Sequence, residues 1–259
     1  MKQNIKNFTK YRYLLGELVK KDIKLKYRKS YLGILWTLLE PLLTMMVLSI
    51  VFSQLYGKAD KHFPIYILTG RLLYTLFANA TKTAMKSIRA NAQMIKKVYV
   101  PKYIYPLSAI LAQYVTFLIS LIVLISVAII LKVKPTIHLL EGIIPLIILL
   151  VMVTGMGLIL STLAVFFRDL EYLWSVILMI IMYCSAIFYE PERVMKAGYE
   201  WVLRFNPLYS VILNFRNTVL YGIGLNMEAL LYSIVFSVAV LVLGTFLFYK
   251  SQDKFILNL

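Results

Sequence analysis

The amino-acid sequence predicts an all-α, polytopic membrane protein with about six transmembrane helices. Of its 259 residues, 61% are hydrophobic and only 15% are charged, and the mean hydropathy is +0.78. Soluble domains contain roughly 45–50% apolar and about 25% charged residues, so lipid must solvate much of this chain. The formal net charge of +16 comes from basic residues in a few blocks between apolar stretches. This pattern indicates membrane topology and not a nucleic-acid partner.

The first 30 residues predict an amphipathic helix at the cytoplasmic face. Between residues 11 and 27, apolar side chains recur at the spacing of one helical face: Tyr11, Leu15, Leu18, Val19, Ile23 and Tyr27. Such a helix can lie in the membrane interface. The alternative is a juxtamembrane segment that only sets topology. No apolar h-region of a cleavable signal peptide precedes the first long span, so we expect a cytoplasmic N-terminus.

Six apolar stretches are candidates for spanning helices, each of which needs about 20 mainly apolar residues. They are residues 33–56, 63–83, 105–131, 143–167, 173–189 and 229–249. The fifth stretch is short, and the second is the most polar.

Basic residues assign the sides of the membrane. They concentrate in the N-terminus, in residues 82–102, at Arg168 and in the C-terminal tail, which we therefore expect in the cytoplasm. The opposite side holds fewer basic residues, among them Lys58 and Arg216, and these are diluted by acidic ones such as Asp60. Six spans with both termini in the cytoplasm satisfy this bias, and they predict a multi-pass protein of the cytoplasmic (inner) membrane.

A long and partly apolar segment, residues 190–226, separates the fifth and sixth spans. The pair Asn206-Pro207 predicts two short helices with a break between them, because Pro is favoured at a helix start and disrupts an interior. Backbone at membrane depth must be satisfied by protein or water, so we expect re-entrant helices packed on the bundle at the outer leaflet. The alternative is a surface loop with no membrane role.

The sequence shows no catalytic or metal-binding motif. It lacks a GxxxxGK[ST] phosphate loop, a Cys/His cluster and a Ser-His-Asp set, and it has one cysteine, Cys184, and two histidines, His62 and His138. We therefore expect no enzyme activity and no bound cofactor. Energy for any transport would come from a separate ATPase subunit or from an ion gradient.

Two ionisable residues, Glu40 and Arg71, fall within predicted spans. Glu40 precedes Pro41 about 10 Å into the first span at a rise of about 1.5 Å per residue. Proton coupling through Glu40 is one alternative. The preferred interpretation is a helix bend at Pro41 with a gating role, in which Glu40 pairs with a basic or hydroxyl group nearby.

The cytoplasmic segment 87–102 predicts a short amphipathic helix that ends before Pro101. It carries an apolar stripe of Ile88, Met94, Ile95 and Val98 beside its lysines. Such a helix is suited to dock in a groove of a partner protein. The alternative is a second interfacial helix held by lipid headgroups.

Four motifs resemble those of ABC-2 permeases of polysaccharide export, a family that includes O-antigen, capsule and teichoic-acid exporters. They are RKSYLGILWTLLEP at 28–41, NAQMIKKVYVPK at 91–102, FFRDL at 166–170 and NPL at 206–208. The resemblance covers nearly the whole chain, and it is more specific for the superfamily than for the cargo. Family members often carry a Pro before Ile-Phe near the end of the fifth span, where this chain has Ala186.

The resemblance implies a single transmembrane domain over residues 1–259. Its parts are an interface helix (1–30), spans one to five (31–189), an external gate segment (190–226), and span six with a cytoplasmic tail (227–259). It also implies that a second copy of the chain completes the channel and that two ATPase subunits bind ATP and Mg beneath it. The cargo would be a lipid-linked polysaccharide, carried within membrane lipid.

The resemblance also implies residue roles. Coupling to the ATPase would involve Asn91, Met94, Ile95, Lys96 and Lys97, and the kink and gating residues would be Glu40, Pro41, Arg168, Asp169, Asn206 and Pro207. Arg168 and Asp169 are expected to pair with each other.

Aromatic residues are abundant, with 19 Tyr, 14 Phe and 3 Trp. Their faces can stack on sugar C–H surfaces through weak contacts that also release, as conduction requires. The candidates for such a pathway are Trp36, Trp174, Tyr183, Phe188 and Tyr189. The alternative for each is an interfacial belt position. For the whole chain, the alternatives are a drug or lipid efflux permease, an ion-coupled secondary transporter, and a membrane scaffold that transports nothing.

Overall fold

The computed structural model describes residues 2–28, 30–56, 61–98 and 100–258, and no β-strand occurs in these ranges. The all-α fold class is therefore confirmed. Lys29, Lys58, Asp60 and Tyr99, to which the predicted topology and motifs refer, lie outside the described residues. The α-helices of the described ranges are α1 (Lys2–Tyr27), α2 (Trp36–Tyr56), α3 (Phe63–Ala90), α4 (Ala92–Lys97), α5 (Ile104–Ile130), α6 (Ile143–Phe166), α7 (Leu170–Tyr183), α8 (Pro191–Lys196), α9 (Glu200–Arg204), α10 (Pro207–Arg216), α11 (Met227–Ser251) and α12 (Phe255–Asn258).

Helices lie at the positions of all six predicted spans. Four of them, α2, α5, α6 and α11, are long and apolar enough to cross a membrane. The other two are α3, which has 28 residues but is more polar, and α7, which has only 14 residues. By length and composition the described residues contain four candidate spans, and the six-span topology stays a prediction.

Helix α3 packs against α2, α5 and α6, and most of its side chains are buried. Two of its buried hydroxyl groups are satisfied locally: Thr69 donates to the Tyr66 carbonyl at 2.9 Å, and Thr81 donates to the Phe77 carbonyl at 2.8 Å. Thr69, Thr81 and Ser87 are buried, so these polar residues of α3 face protein and not lipid.

Helices α6 and α11 form the most extensive helix pair of the bundle. A Cβ atom added to Gly155 would lie 2.5 Å from the Leu241 backbone nitrogen, and one added to Gly244 would collide with the Gly155 carbonyl oxygen. Small residues at such a contact let two membrane helices approach backbone to backbone.

A separate apolar cluster joins the elements at one end of the bundle. We call it the basic end, because α1 and α4 carry their lysines there. Leu15 and Leu18 of α1 belong to this cluster together with Ile95 of α4, Tyr105 of α5 and Phe255 of α12. The predicted amphipathic α1 is thus a helix, and part of its apolar face packs on protein. The N- and C-terminal helices meet at the same end.

Helices α2 and α7 expose wide apolar faces. The exposed side chains include Leu43, Val47 and Ile50 of α2, and Leu173, Val176 and Ile180 of α7. Contiguous apolar surface of this kind needs lipid or another protein to cover it.

Candidate functional site

Residues 91–102, which we call the coupling segment after the role that the resemblance implies, begin at a polar junction between α3 and α4. The Asn91 side-chain amide donates to the Ser87 carbonyl at 2.8 Å, which satisfies a carbonyl at the end of α3. The Asn91 Oδ1 accepts from Lys21 Nζ of α1 at 3.2 Å. Asn91 therefore connects three helices at the basic end.

The short helix α4 presents an exposed surface beyond this junction. Met94, Lys96 and Lys97 are exposed, whereas Ile95 is buried in the basic-end cluster. The predicted apolar stripe is thus divided, because Ile88 and Ile95 face the bundle while Met94 and Val98 face away from it. The exposed part combines one long apolar side chain with two cations.

Charged contacts between α3 and α7 involve Glu171 and not the predicted pair. Glu171 Oε2 lies 2.9 Å from Lys86 Nζ, and Glu171 Oε1 lies 3.4 Å from Arg89 Nη2. Arg168 and Asp169 are both exposed and form no ion pair with each other within the described residues, so that prediction was wrong. The sequence signal for Glu171 was its place in the first turn of α7, where a carboxylate is favoured by the helix dipole.

The gate segment, residues 190–226, contains α8, α9, α10 and a π-helical turn, Asn217–Tyr221. The predicted break lies between α9 and α10, where Pro207 is the first residue of α10. Asn206 caps α10, because its Oδ1 accepts from the backbone N–H groups of Leu208 at 3.0 Å and Tyr209 at 3.3 Å. Its Nδ2 donates to the Cys184 carbonyl at 2.9 Å, which ties the gate segment to the end of α7.

Arg216 at the end of α10 was counted in the sequence only as an outer-side basic residue, yet it is 2% exposed. Its guanidinium donates to the carbonyls of Ala186 at 2.9 Å, Tyr66 at 3.0 Å and Ile187 at 3.4 Å. It also lies 3.5 Å from the centroid of the Tyr66 ring. Gly70 makes this possible, since a Cβ there would lie 2.6 Å from Arg216 Nη2. Arg216 thereby joins α3, the end of α7 and α10.

The turn after α7 has an unusual backbone at Ala186, whose φ is +47°. A proline ring fixes φ near −65°, so the Pro of the family pattern does not fit this conformation. The Ala186 carbonyl accepts from both Arg216 and the Tyr66 hydroxyl, the latter at 2.9 Å. The departure from the family pattern thus coincides with a backbone turn that the buried arginine holds.

The five predicted pathway aromatics occupy different environments. Trp174 is buried, and its Nε1 donates to Thr81 Oγ1 at 3.0 Å. Phe188 is also buried and stacks on Phe52, with 5.3 Å between ring centroids. These placements speak against a pathway role for Trp174 and Phe188. Trp36 and Tyr183 are exposed and Tyr189 is half-buried, so for these three the role stays a prediction.

Pro41 lies inside α2 and cannot donate to the Thr37 carbonyl one turn earlier. Ser120 Oγ of α5 donates to that carbonyl at 3.0 Å, so α5 satisfies the group that Pro41 leaves free. The helix bend itself stays a prediction. Within the described residues the Glu40 carboxylate forms no hydrogen bond, but it interacts electrostatically with Lys26. Desolvation lowers the pKa of Lys26, and Glu40 opposes this effect.

Within the described residues, no three His, Cys, Asp or Glu side chains group closely enough to hold a metal ion. The arrangement therefore offers a helical bundle, an exposed cationic helix at the basic end, and a capped gate segment at the end of α7. These features define a membrane-embedded subunit with protein- or lipid-binding faces.

Comparison with known proteins assigns the family. Residues 13–220 match the family model for the ABC-2 type transporter, and the chain belongs to this family. The resemblance drawn from the four motifs is confirmed.

Several relatives align over most of their length. Two O-antigen export system permease proteins RfbA of Klebsiella pneumoniae are 30% and 31% identical over 244 residues, which is 93% of this chain and 93% of each relative. The polysialic acid transport protein KpsM of Escherichia coli is 23% identical over 247 residues, covering 92% of this chain and 93% of KpsM. The capsule polysaccharide export inner-membrane protein CtrC of Neisseria meningitidis is 22% identical over 194 residues, or 73% of each chain.

Proposed function

We propose that this chain is the channel-forming permease subunit of an ABC exporter that moves a lipid-linked polysaccharide across the cytoplasmic membrane. The observation that carries the proposal is the alignment over 93% of both chains with O-antigen export permeases. The relatives named above from other genera are also polysaccharide transport or export proteins. Drug or lipid efflux and ion-coupled transport are not favoured by any of these similarities.

The proposal includes six spans with both termini in the cytoplasm. The buried polar residues of α3 support a fifth crossing, because they need not face lipid. The turn that follows α7 supports a sixth, because it extends a 14-residue helix toward the gate segment. The basic end would then be cytoplasmic. Cysteine labelling in a Cys184→Ser background tests this: Lys97→Cys should react only from inside and Lys134→Cys only from outside.

The proposal also includes a second copy of the chain and two ATPase subunits. The exposed apolar faces of α2 and α7 would meet the second copy or lipid, and the exposed Met94, Lys96 and Lys97 would dock on the ATPase. ATP and Mg would bind on that separate subunit. Tagged purification in mild detergent should recover a P-loop ATPase in equal amount. Crosslinks from Met94→Cys should reach it, and crosslinks from an exposed outer residue such as Tyr199→Cys should not.

In the proposed cycle, closure of the ATPases pushes on the coupling segment and moves α2 and α7 apart, which opens a path between the two copies. Trp36 and Tyr183, which are exposed, would line such a path. Tyr183→Ala is expected to lower export with unchanged abundance in the membrane. Normal export from that variant would remove Tyr183 from the path.

Depletion of the chain in its native host tests the function. We expect surface glycan to fall while lipid-linked glycan accumulates inside, measured by lectin labelling of intact cells and by lipid extraction. In inverted vesicles, transport should need ATP and persist when an ionophore collapses the proton gradient. Transport that follows the gradient and not ATP would contradict the proposal and favour an ion-coupled transporter.

A further inference from the structure

A polar cleft of about 60 Å³ lies between α2, α3 and α5, beside the end of α1. One water needs about 10–15 Å³ of cavity volume, so the cleft has room for several waters or for one group the size of a phosphate. The polar side chains that line it include Lys26, Glu40, Arg71, Thr75, Asn79 and Gln113. A cleft of this polarity beside spanning helices needs water or a polar ligand.

Several of the lining side chains have no hydrogen-bond partner in the described part of the chain. Besides the charged Lys26 and Glu40, they include Thr75 and Asn79 of α3 and Gln113 of α5, whose polar atoms are open to the cleft. Thr116 and Ser120, by contrast, donate to backbone carbonyls at 2.8 and 3.0 Å. The unpartnered hydroxyl and amides are available to whatever occupies the cleft.

Arg71 is a cation of the cleft that has no ion pair in the described part of the chain. Its Nη1 lies 3.3 Å from the Met182 sulfur, and its guanidinium lies 5.7 Å from the Tyr74 ring centroid. Among the described residues no carboxylate lies within 4.0 Å of it; the Glu40 carboxylate lines the same cleft and interacts electrostatically with Lys26. A cation within a spanning helix is costly, and in membrane proteins it normally has a partner of opposite charge or a ligand.

We propose that this cleft binds the phosphate group of a lipid, with Arg71 as the residue that holds the charge. The planar guanidinium donates two parallel hydrogen bonds to phosphate oxygens, and the Asn79 and Gln113 amides add further donors. The exposed stripe of Leu43, Val47 and Ile50 on α2 offers an apolar surface for the lipid chain. With the proposed function as its basis, the bound group is the phosphate or diphosphate that joins the glycan to its lipid. The same chemistry would accept a phospholipid headgroup.

Binding of farnesyl diphosphate to the purified full chain, with any co-purifying ATPase, tests this site. Maltoside micelles contain no phosphate, so the probe has no competitor from the detergent. Arg71→Gln should raise the dissociation constant of the diphosphate on the order of 10- to 100-fold, since it removes the charge-assisted hydrogen bonds of the guanidinium. Arg71→Lys keeps the charge but loses the two parallel N–H donors of the guanidinium, so its dissociation constant should lie between those of the parent and Arg71→Gln. Arg204→Gln, at an exposed arginine paired with Glu200, should bind as the parent does.

Farnesol separates the phosphate from the lipid chain. It should bind more weakly than the diphosphate to the parent, and equally to the parent and Arg71→Gln. Unchanged diphosphate affinity in Arg71→Gln, or farnesol binding as tight as that of the diphosphate, would overturn the proposal. If Arg71→Gln does not fold, the pair Asn79→Leu and Gln113→Leu replaces it, with weaker diphosphate binding expected and unchanged binding contradicting the site.

Competition decides the source of the phosphate. Displacement of the probe by phosphatidylglycerol at equal concentration would support the site with a bilayer phospholipid as its ligand. Failure of phosphatidylglycerol to compete would support the lipid-linked substrate. The proposed function is judged separately, by glycan export and ATPase recovery. A host that exports no glycan, with diphosphate binding intact, would remove the proposed function and leave the phosphate site.

Discussion

Arg216 provides the sharpest test of how the gate segment is held. In Arg216→Met, the side-chain volume is roughly kept while the donors to the Ala186, Tyr66 and Ile187 carbonyls are lost. Each lost hydrogen bond from the charged donor costs about 1.5–3 kcal/mol, although the Ala186 and Tyr66 carbonyls keep the Tyr66 and Thr69 hydroxyls as donors, and the lost contact with the Tyr66 ring adds about 1–2 kcal/mol. Removal of a desolvated cation returns several kcal/mol. The balance predicts a net destabilisation of about 3 kcal/mol.

Thermal unfolding in detergent, followed by loss of the monodisperse elution peak, measures this effect. A loss of about 3 kcal/mol corresponds to a decrease of roughly 6–12 °C in the apparent midpoint for a chain of this size. The midpoint of Arg216→Lys should fall by less, because an ammonium keeps the charge. It should still fall, because an ammonium reaches fewer of the carbonyls. The control is Arg204→Met, which removes only an exposed ion pair worth less than about 1 kcal/mol. An Arg216→Met midpoint equal to that of the parent would refute the reasoning.

Three further substitutions test the packing described above. Gly244→Ala pushes a methyl group into the Gly155 carbonyl and should cost about 1–3 kcal/mol in the same assay, whereas Gly16→Ala, with open space around it, should not lower the midpoint. Proline cannot adopt a φ of +47°, so Ala186→Pro should abolish the elution peak of the folded protein. Ala186→Gly should raise the midpoint slightly, because glycine tolerates that conformation. Equal behaviour of these two variants would contradict the turn geometry. Glu171→Lys should lower the midpoint by repulsion from Lys86 and Arg89. The exchange Glu171→Lys with Lys86→Glu should restore part of the loss, since only the repulsion from Lys86 is removed; no restoration would mean that the contact with Lys86 is not formed.

Features with a local cause were predictable from the sequence. The apolar runs around α2, α5, α6 and α11 are long enough to be found by length and composition alone. The break at Asn206-Pro207 follows from cap chemistry, which needs only the side chain of Asn206 and the two backbone N–H groups after Pro207.

Features that depend on distant partners could not be predicted in this way. The acceptors of Arg216 lie 150 positions away at Tyr66 and 30 positions away at Ala186, so nothing near Arg216 in the sequence reveals its burial. Trp174 lies on a helix whose residues are nearly all apolar, and only packing against Thr81 decides which face of α7 is inside. That Glu171 faces the cations of α3 likewise depends on how α7 packs against that helix.

The glycine contact between α6 and α11 has a mechanical consequence. In the proposed export cycle, we expect this pair to keep its relative position, because the glycine contacts leave little space between the two backbones. Spin labels at the exposed Ile147 and Val238 should keep one separation throughout the ATP cycle, while a label at Val176 of α7 should change its distance to Val238. The moving part would then be the side of the bundle that carries α2 and α7, and the motion would be a rotation of these two helices relative to α6 and α11.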